Sequence, residues 1–166
     1  KETTNIFSLG NFYLQIKKYQ KAVIYFNKVI KLDSNFILAL NNLAFCFNKL
    51  GNSKKSIKYL LKAIKISKNN HHLLHNAANA YKTIGDLNKA EEYYNKAVAI
   101  APNDKRCLFN KSFVLLKKRK YQEGWDLYEN RLSLNNLHLN LEIHSIIKNN
   151  LYHNNNFNNK NLKLSI

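Results

Sequence analysis

Residues 71–104 read HHLLHNAANAYKTIGDLNKAEEYYNKAVAIAPND. Gly85-Asp86 separates two runs in this stretch, and Pro102 stands where a helix must stop. Thirty-four residues earlier the same layout returns, with Gly51-Asn52 in the place of Gly85-Asp86. There the apolar residues fall at 37, 40, 43, 44 and 47, and then at 57, 60, 61 and 64. Both runs follow the three-four step of an amphipathic helix. The stretch is one pair of helices joined by a glycine turn.

The register extends without a gap in both directions. Gly10, Ala44, Ala78 and Ser112 form one column at a spacing of 34, and Ala22, Ser56, Ala90 and Gly124 form another. Phe26, Leu60, Tyr94 and Tyr128 align, as do Ile30, Ile64, Val98 and Leu132. Small residues at helical spacing let two helices approach closely, and bulky ones fill the gaps beside them. A fixed period of this size means one supersecondary unit stacked on copies of itself. Such a stack offers an extended surface, not a catalytic pocket.

The pattern Ala77-Ala78-x-x-Tyr81, Gly85-Asp86-Leu87, Ala90, Tyr94, Ala97, Pro102 resembles the tetratricopeptide repeat family, over residues 3–132. The resemblance implies an all-α fold: a right-handed superhelical solenoid of antiparallel helix pairs. The expected units are 3–36, 37–70, 71–104 and 105–134, followed by a capping helix over 137–152 and an asparagine-rich tail over 153–166. The first and fourth units depart most. Lys17 and Arg119 stand where the middle units have glycine, which fits end units with wetter outer faces.

Composition narrows the class further. No apolar run reaches membrane-spanning length and no secretory signal opens the chain. The chain holds no methionine, so it is expected to be a piece of something longer. Cys46 and Cys107 lie on different first helices and read as small buried thiols, which favours a reducing, cytoplasmic setting. Lys and Arg number 27 against 10 Asp and Glu, a formal charge of +17. That charge attracts acidic partners, yet the lysines are scattered and asparagine is about as common as Lys and Arg together. Solvated surface with a compositional bias therefore stands beside an acidic-partner surface, and nucleic acid is disfavoured because no aromatic-interleaved basic motif is present.

The resemblance places the first helix of each pair on the concave side. Asn42, Asn76 and Asn110 occupy one column there. A carboxamide carries both donor and acceptor, so a row of them can hold an extended peptide by its backbone. This is similar to the asparagine ladder in the repeat arm of the O-GlcNAc transferases; equally, asparagine is a common family residue at this position. One turn along lie Asn11, Phe45, Asn79 and Phe113, with Phe7 and Phe109 in a neighbouring column. Exposed rings suggest a partner site, unless the C-terminal segment covers them. Lys49, Lys82 and Lys117 face the same way and suit acidic side chains. The expected binding set is Asn11, Asn42, Asn76, Asn79, Asn110, Phe45, Phe113, Lys49, Lys82 and Lys117. The carboxylate clamp of co-chaperones is a poorer match. Asn11 and Asn42 fit it, but Phe7, His72 and Asn76 stand where it needs basic residues.

No nucleophile–base pair, phosphate loop or acid pair stands out, so no catalysis and no cofactor are expected. His71 and His75 have metal-capable spacing, but without an apparent third ligand they read as solvated. Gly124-Trp125 with Tyr128-Glu129 looks like the last repeat of bacterial proteins that continue into a glycosyltransferase domain. Three functions follow: an interaction scaffold for an extended, acidic peptide or protein; the substrate-presenting arm of a glycosyltransferase; or a structural subunit that self-associates.

Overall fold

The computed structural model describes residues 2–130. Eight helices follow one another: α1 (Glu2–Gln15), α2 (Tyr19–Leu32), α3 (Ile37–Lys49), α4 (Ser53–Ile66), α5 (His71–Thr83), α6 (Leu87–Ile100), α7 (Lys105–Lys117) and α8 (Tyr121–Tyr128). Among the described residues there is no strand, and no helix is long and apolar enough to cross a membrane. The expected capping helix and tail lie outside the described residues.

Each helix packs on the next, and the odd-numbered helices also touch in turn: α1 on α3, α3 on α5, α5 on α7. The result is a row of hairpins with the first helices on one side. The small columns explain the closeness. Ala22, Ala44, Ala77, Ala78, Ala90 and Ser112 are fully buried where helices cross. At the two ends the small residue is glycine. A Cβ on Gly10 would lie 2.6 Å from the Phe26 ring, and one on Gly124 would lie 2.7 Å from the Leu116 side chain.

Two buried clusters run along the stack. The first hairpin and α3 share Phe26, Val29, Leu43 and Cys46. The other cluster joins α3 to α7 and includes Leu40, Leu60, Leu73, Tyr94 and Val114. Both cysteines are free and buried. Burial pushes the Cys46 thiol up to about 11. Burial, helped by the Asp104 charge, pushes the Cys107 thiol up to about 12.

Every turn between paired helices uses one geometry. The amide of residue 18, 52, 86 or 120 donates to the carbonyl of residue 13, 47, 81 or 115. The residue just before it has positive φ in all four: Lys17 (57°), Gly51 (77°), Gly85 (85°) and Arg119 (61°). This closes the first helix with a left-handed residue, as helix C-termini commonly do.

A second period-34 feature accounts for part of the positive charge. Aromatic pairs stack between the helices of the first three hairpins: Tyr13–Tyr25 (5.2 Å), Phe47–Tyr59 (5.6 Å) and Tyr81–Tyr93 (5.3 Å). Lys21, Lys55 and Lys89 each sit over the first ring, 5.4–5.5 Å from its centroid. Lys28 and Lys96 cover Tyr25 and Tyr93. An ammonium over a ring is stabilised by the ring's negative face. These lysines are exposed, and each makes a ring contact as well. In the fourth hairpin Leu115 and Leu127 occupy the ring positions.

Candidate functional site

The recurring asparagines sit at the seams between first helices. Asn76 Nδ2 donates to Asn41 Oδ1 at 2.9 Å, from α5 back to α3. Asn110 Nδ2 lies 3.0 Å from His75 Nε2, from α7 back to α5. Each reaches back one repeat and one residue. In the first seam that position is Phe7, which has no acceptor. Asn42 Nδ2 instead donates to Asn11 Oδ1 at 2.8 Å, one turn further along α1. Asn79 is committed too, because its Oδ1 accepts the Tyr94 hydroxyl at 2.6 Å. One N–H of each ladder carboxamide therefore ties neighbouring hairpins together. A two-handed grip on a peptide backbone would have to break those ties.

A cleft of about 460 Å³ runs across α3, α5 and α7. Among the residues lining it are Leu38, Phe45, Asn76, Asn79, Arg106 and Asn110. Of the expected residues it brings together Phe45, Asn76, Asn79 and Asn110; Asn11, Asn42, Phe113, Lys49, Lys82 and Lys117 are outside its lining. It also adds Arg106, which the sequence reading missed. Arg106 follows the Asp104 cap of α7, so the capping geometry sets the start of its helix at the mouth of the cleft. No Asp or Glu lines the cleft.

The aromatic expectations divide. Phe45 is 44% exposed and Phe113 36% exposed. Phe7 is half-buried against Phe26 and Phe36, with ring centroids 5.7 and 5.0 Å apart. Phe109 packs on Phe113 (4.9 Å) and Tyr128 (5.5 Å). Two of the lysines cover the exposed rings. Lys49 lies over Phe45 at 5.4 Å, and Lys82 over Phe113 at 5.6 Å. Burial, with Lys117 nearby, lowers the Lys82 pKa. Two ammonium groups thus lie near one exposed ring.

The histidines require a correction. His75 is not solvated: it is 3% exposed and accepts from Asn110. Burial lowers its pKa to about 4, against the opposing pull of Asp104 and with Arg106, Lys82 and His72 adding to the drop. Asp104 supplies a donor beside the histidines, but in two separate groups and in neither with His71 and His75 together. It lies near His71 and His72, and near His75 and Cys107. Cys107 lies close to His75 and Asp104, but its thiol is buried and its pKa is pushed up to about 12, the opposite of an activated nucleophile.

An all-helical row of hairpins with a cleft across its first helices defines a helical-repeat solenoid. Tetratricopeptide repeat models match residues 5–36 and 35–103. The chain belongs to the tetratricopeptide repeat family. No curated protein matches it. Among solved structures, MamA is similar at 21% identity and TM-score 0.73, over 79% of this chain and 77% of that one. MamA from Desulfovibrio magneticus RS-1 is similar at 20% identity and TM-score 0.73, over 80% of this chain and 75% of that one. The first repeat domain of Spaghetti (RPAP3), bound to the HSP90 peptide SRMEEVD, is similar at 15% identity and TM-score 0.68. That match covers 70% of this chain and 93% of the other. At these identities the likeness is one of fold.

Proposed function

We propose that the chain is a non-catalytic interaction scaffold that takes an extended, acidic segment of a partner protein along its first helices. The carrying observation is the cleft itself: carboxamides from the first helices of three successive hairpins, an exposed ring and the Arg106 guanidinium line it, and no carboxylate does. Carboxamides suit a peptide backbone, the Phe45 ring suits an apolar side chain, and an acid-free lining with a guanidinium favours carboxylates. The RPAP3 domain, similar in fold, holds a peptide with two adjacent glutamates and a C-terminal aspartate. The carboxamides keep their inter-hairpin bonds in this reading, so each offers its remaining polar atoms to the ligand. Lys82 and Lys117, beside Phe113, extend the cationic character along the same side.

The test is fluorescence anisotropy with labelled SRMEEVD as the probe, beside a version carrying Gln and Asn in place of its acids. The acidic probe should bind and the neutral one should bind at least about tenfold more weakly, a difference of ~1.4 kcal/mol. Arg106→Glu should weaken the acidic probe by a similar factor, with helicity unchanged because the Arg106 side chain is exposed. Equal binding of the two probes, or an Arg106→Glu variant that binds as tightly as the parent, rejects the acidic-segment reading.

A further inference from the structure

We propose a transition-metal site of the zinc class between the starts of α5 and α7, with His71, His72 and Asp104 as its protein ligands. One ring nitrogen from each histidine and a carboxylate oxygen of Asp104 lie within 4.8 Å of one another. The two imidazole rings are close neighbours, with centroids 3.8 Å apart. Two imidazoles, a carboxylate and a fourth position left for water form a donor set that suits zinc and its neighbours.

The second observation concerns Asp104 alone. Its Oδ1 caps α7, accepting the amides of Arg106 and Cys107, both at 3.1 Å. Its Oδ2 is buried and has no hydrogen-bond partner, the one such side-chain atom among the described residues. A buried carboxylate oxygen without a partner is costly, so such an atom calls for an explanation. The cap fixes the carboxylate as an outer-sphere bond fixes a metal ligand. Held that way, the carboxylate stands in the same cluster as the histidines of α5. A cation bound to it would offset the cost of the unpartnered oxygen.

A deeper set of donors shares the same carboxylate: His75 and Cys107, with Asp104, also fall within 4.8 Å. That set is less able to take a metal. His75 Nε2 is already engaged by Asn110, and Cys107 is 1% exposed. His71 is half-buried and His72 exposed, so an ion can reach them. Arg106 is nearby and the chain is strongly basic, and both weaken cation binding. The donor geometry and the unpartnered carboxylate oxygen favour the metal against that charge. The proposal does not rest on the peptide reading, although His72 also lines the cleft.

The experiment is calorimetric titration of the untagged protein with Zn²⁺ alone at pH 7.5, beside three variants. Asp104→Asn is informative because asparagine still caps a helix through Oδ1 but replaces the ligating oxygen with an amide nitrogen. One Zn²⁺ should bind the parent. Asp104→Asn and the double variant His71→Ala/His72→Ala should each weaken it at least about tenfold. Cys107→Ser should leave it unchanged, and the Co²⁺-loaded protein should show no thiolate charge-transfer band. Absence of binding to the parent overturns the site, as does undiminished binding to Asp104→Asn with its helicity intact. Loss of binding in Cys107→Ser, or a thiolate band with Co²⁺, also overturns it by moving the metal to the deeper donors.

Discussion

In the second and third hairpins the turn is made by Gly51-Asn52 and Gly85-Asp86; in the first and fourth it is made by Lys17-Lys18 and Arg119-Lys120. The backbone is the same in all four, down to the hydrogen bond that closes the turn. What differs is how well the residues suit it. Asn52 and Asp86 accept the amides of Lys55 and Lys89 and so cap α4 and α6. Lys18 and Lys120 make no side-chain cap at α2 and α8. Tertiary stacking therefore imposes the turn on the outer hairpins, whereas the inner ones favour it locally as well. The fourth hairpin is held instead by charge. Glu91 of α6 pairs with Lys118 and, at 2.6 Å, with Lys120. Burial alone would raise the Glu91 pKa, but these two lysines outweigh it and the pKa falls.

The largest break in this comparison should come from one column. Tyr94 is fully buried in the third hairpin, and its hydroxyl donates to Asn79. Its counterpart Tyr128 is half-buried among Phe109, Phe113 and Trp125. Tyr94→Ala removes packing from both of its neighbours at the centre of the stack and should cost about 3–5 kcal/mol. Tyr128→Ala should cost about 1–2 kcal/mol, because the site is already partly open. Urea unfolding of the two variants checks this. Equal losses would mean that inner and outer hairpins contribute alike.

A smaller effect separates the two inner seams. Asn76 donates to a carboxamide, Asn41, but Asn110 donates to an imidazole, His75. The seam between α5 and α7 should therefore respond to pH while the seam between α3 and α5 does not. His75 has a folded-state pKa of about 4 against an ordinary value of 6.5. The unfolded chain then takes up the proton first, so stability is full above pH ~6.5 and is lost as pH falls toward ~4. The loss attributable to this group is on the order of 3 kcal/mol. His75→Asn copies the Asn76–Asn41 arrangement and should flatten the profile over that window. Thermal unfolding from pH 7 to 4 in the presence of a chelator measures it. A His75→Asn variant as acid-sensitive as the parent would place the effect on other groups.

Much of this was readable along the chain, and the reason is the period. Gly51 and Gly85 mark the inner turns, and the columns of Ala44 and Ala78 mark the close crossings. Such features repeat, and they depend on neighbours inside one hairpin. The stacked rings were equally regular, with Tyr13, Phe47 and Tyr81 at a spacing of 34 above Tyr25, Tyr59 and Tyr93. The lysines over the first ring of each pair, Lys21, Lys55 and Lys89, keep the same spacing. What remained hidden depends on how one hairpin leans on the next. The column of Asn42, Asn76 and Asn110 was plain, but its partners lie 31 or 35 residues away. That offset is set by the packing of first helices and not by the helix period. Asp104 ends the third repeat, two residues after Pro102, and nothing along the chain ties it to the histidines. Its closeness to His71 and His72 comes from the stacking of two helix starts, one in each of two successive repeats.

The smallest expected effect tests the comparison most directly. Lys17 and Arg119 have φ of 57° and 61°, the left-handed region in which a side chain crowds the following carbonyl. Gly51 and Gly85 adopt the same region, and there glycine meets no such crowding. The turn hydrogen bonds are alike at all four positions, so a glycine at 17 or 119 loses no backbone contact. Lys17→Gly and Arg119→Gly should each stabilise the fold by roughly 1 kcal/mol, less the entropy that glycine adds to the unfolded chain. Gly51→Ala and Gly85→Ala should lose a similar amount; nothing lies within 4 Å of either added methyl, so the cost is conformational and not steric. Unfolding midpoints of the four variants give the sign of each change. Opposite signs at the outer and inner positions would show that the outer hairpins carry backbone strain the inner ones lack. A loss on Lys17→Gly would mean instead that the lysine side chain stabilises its turn by more than the strain costs.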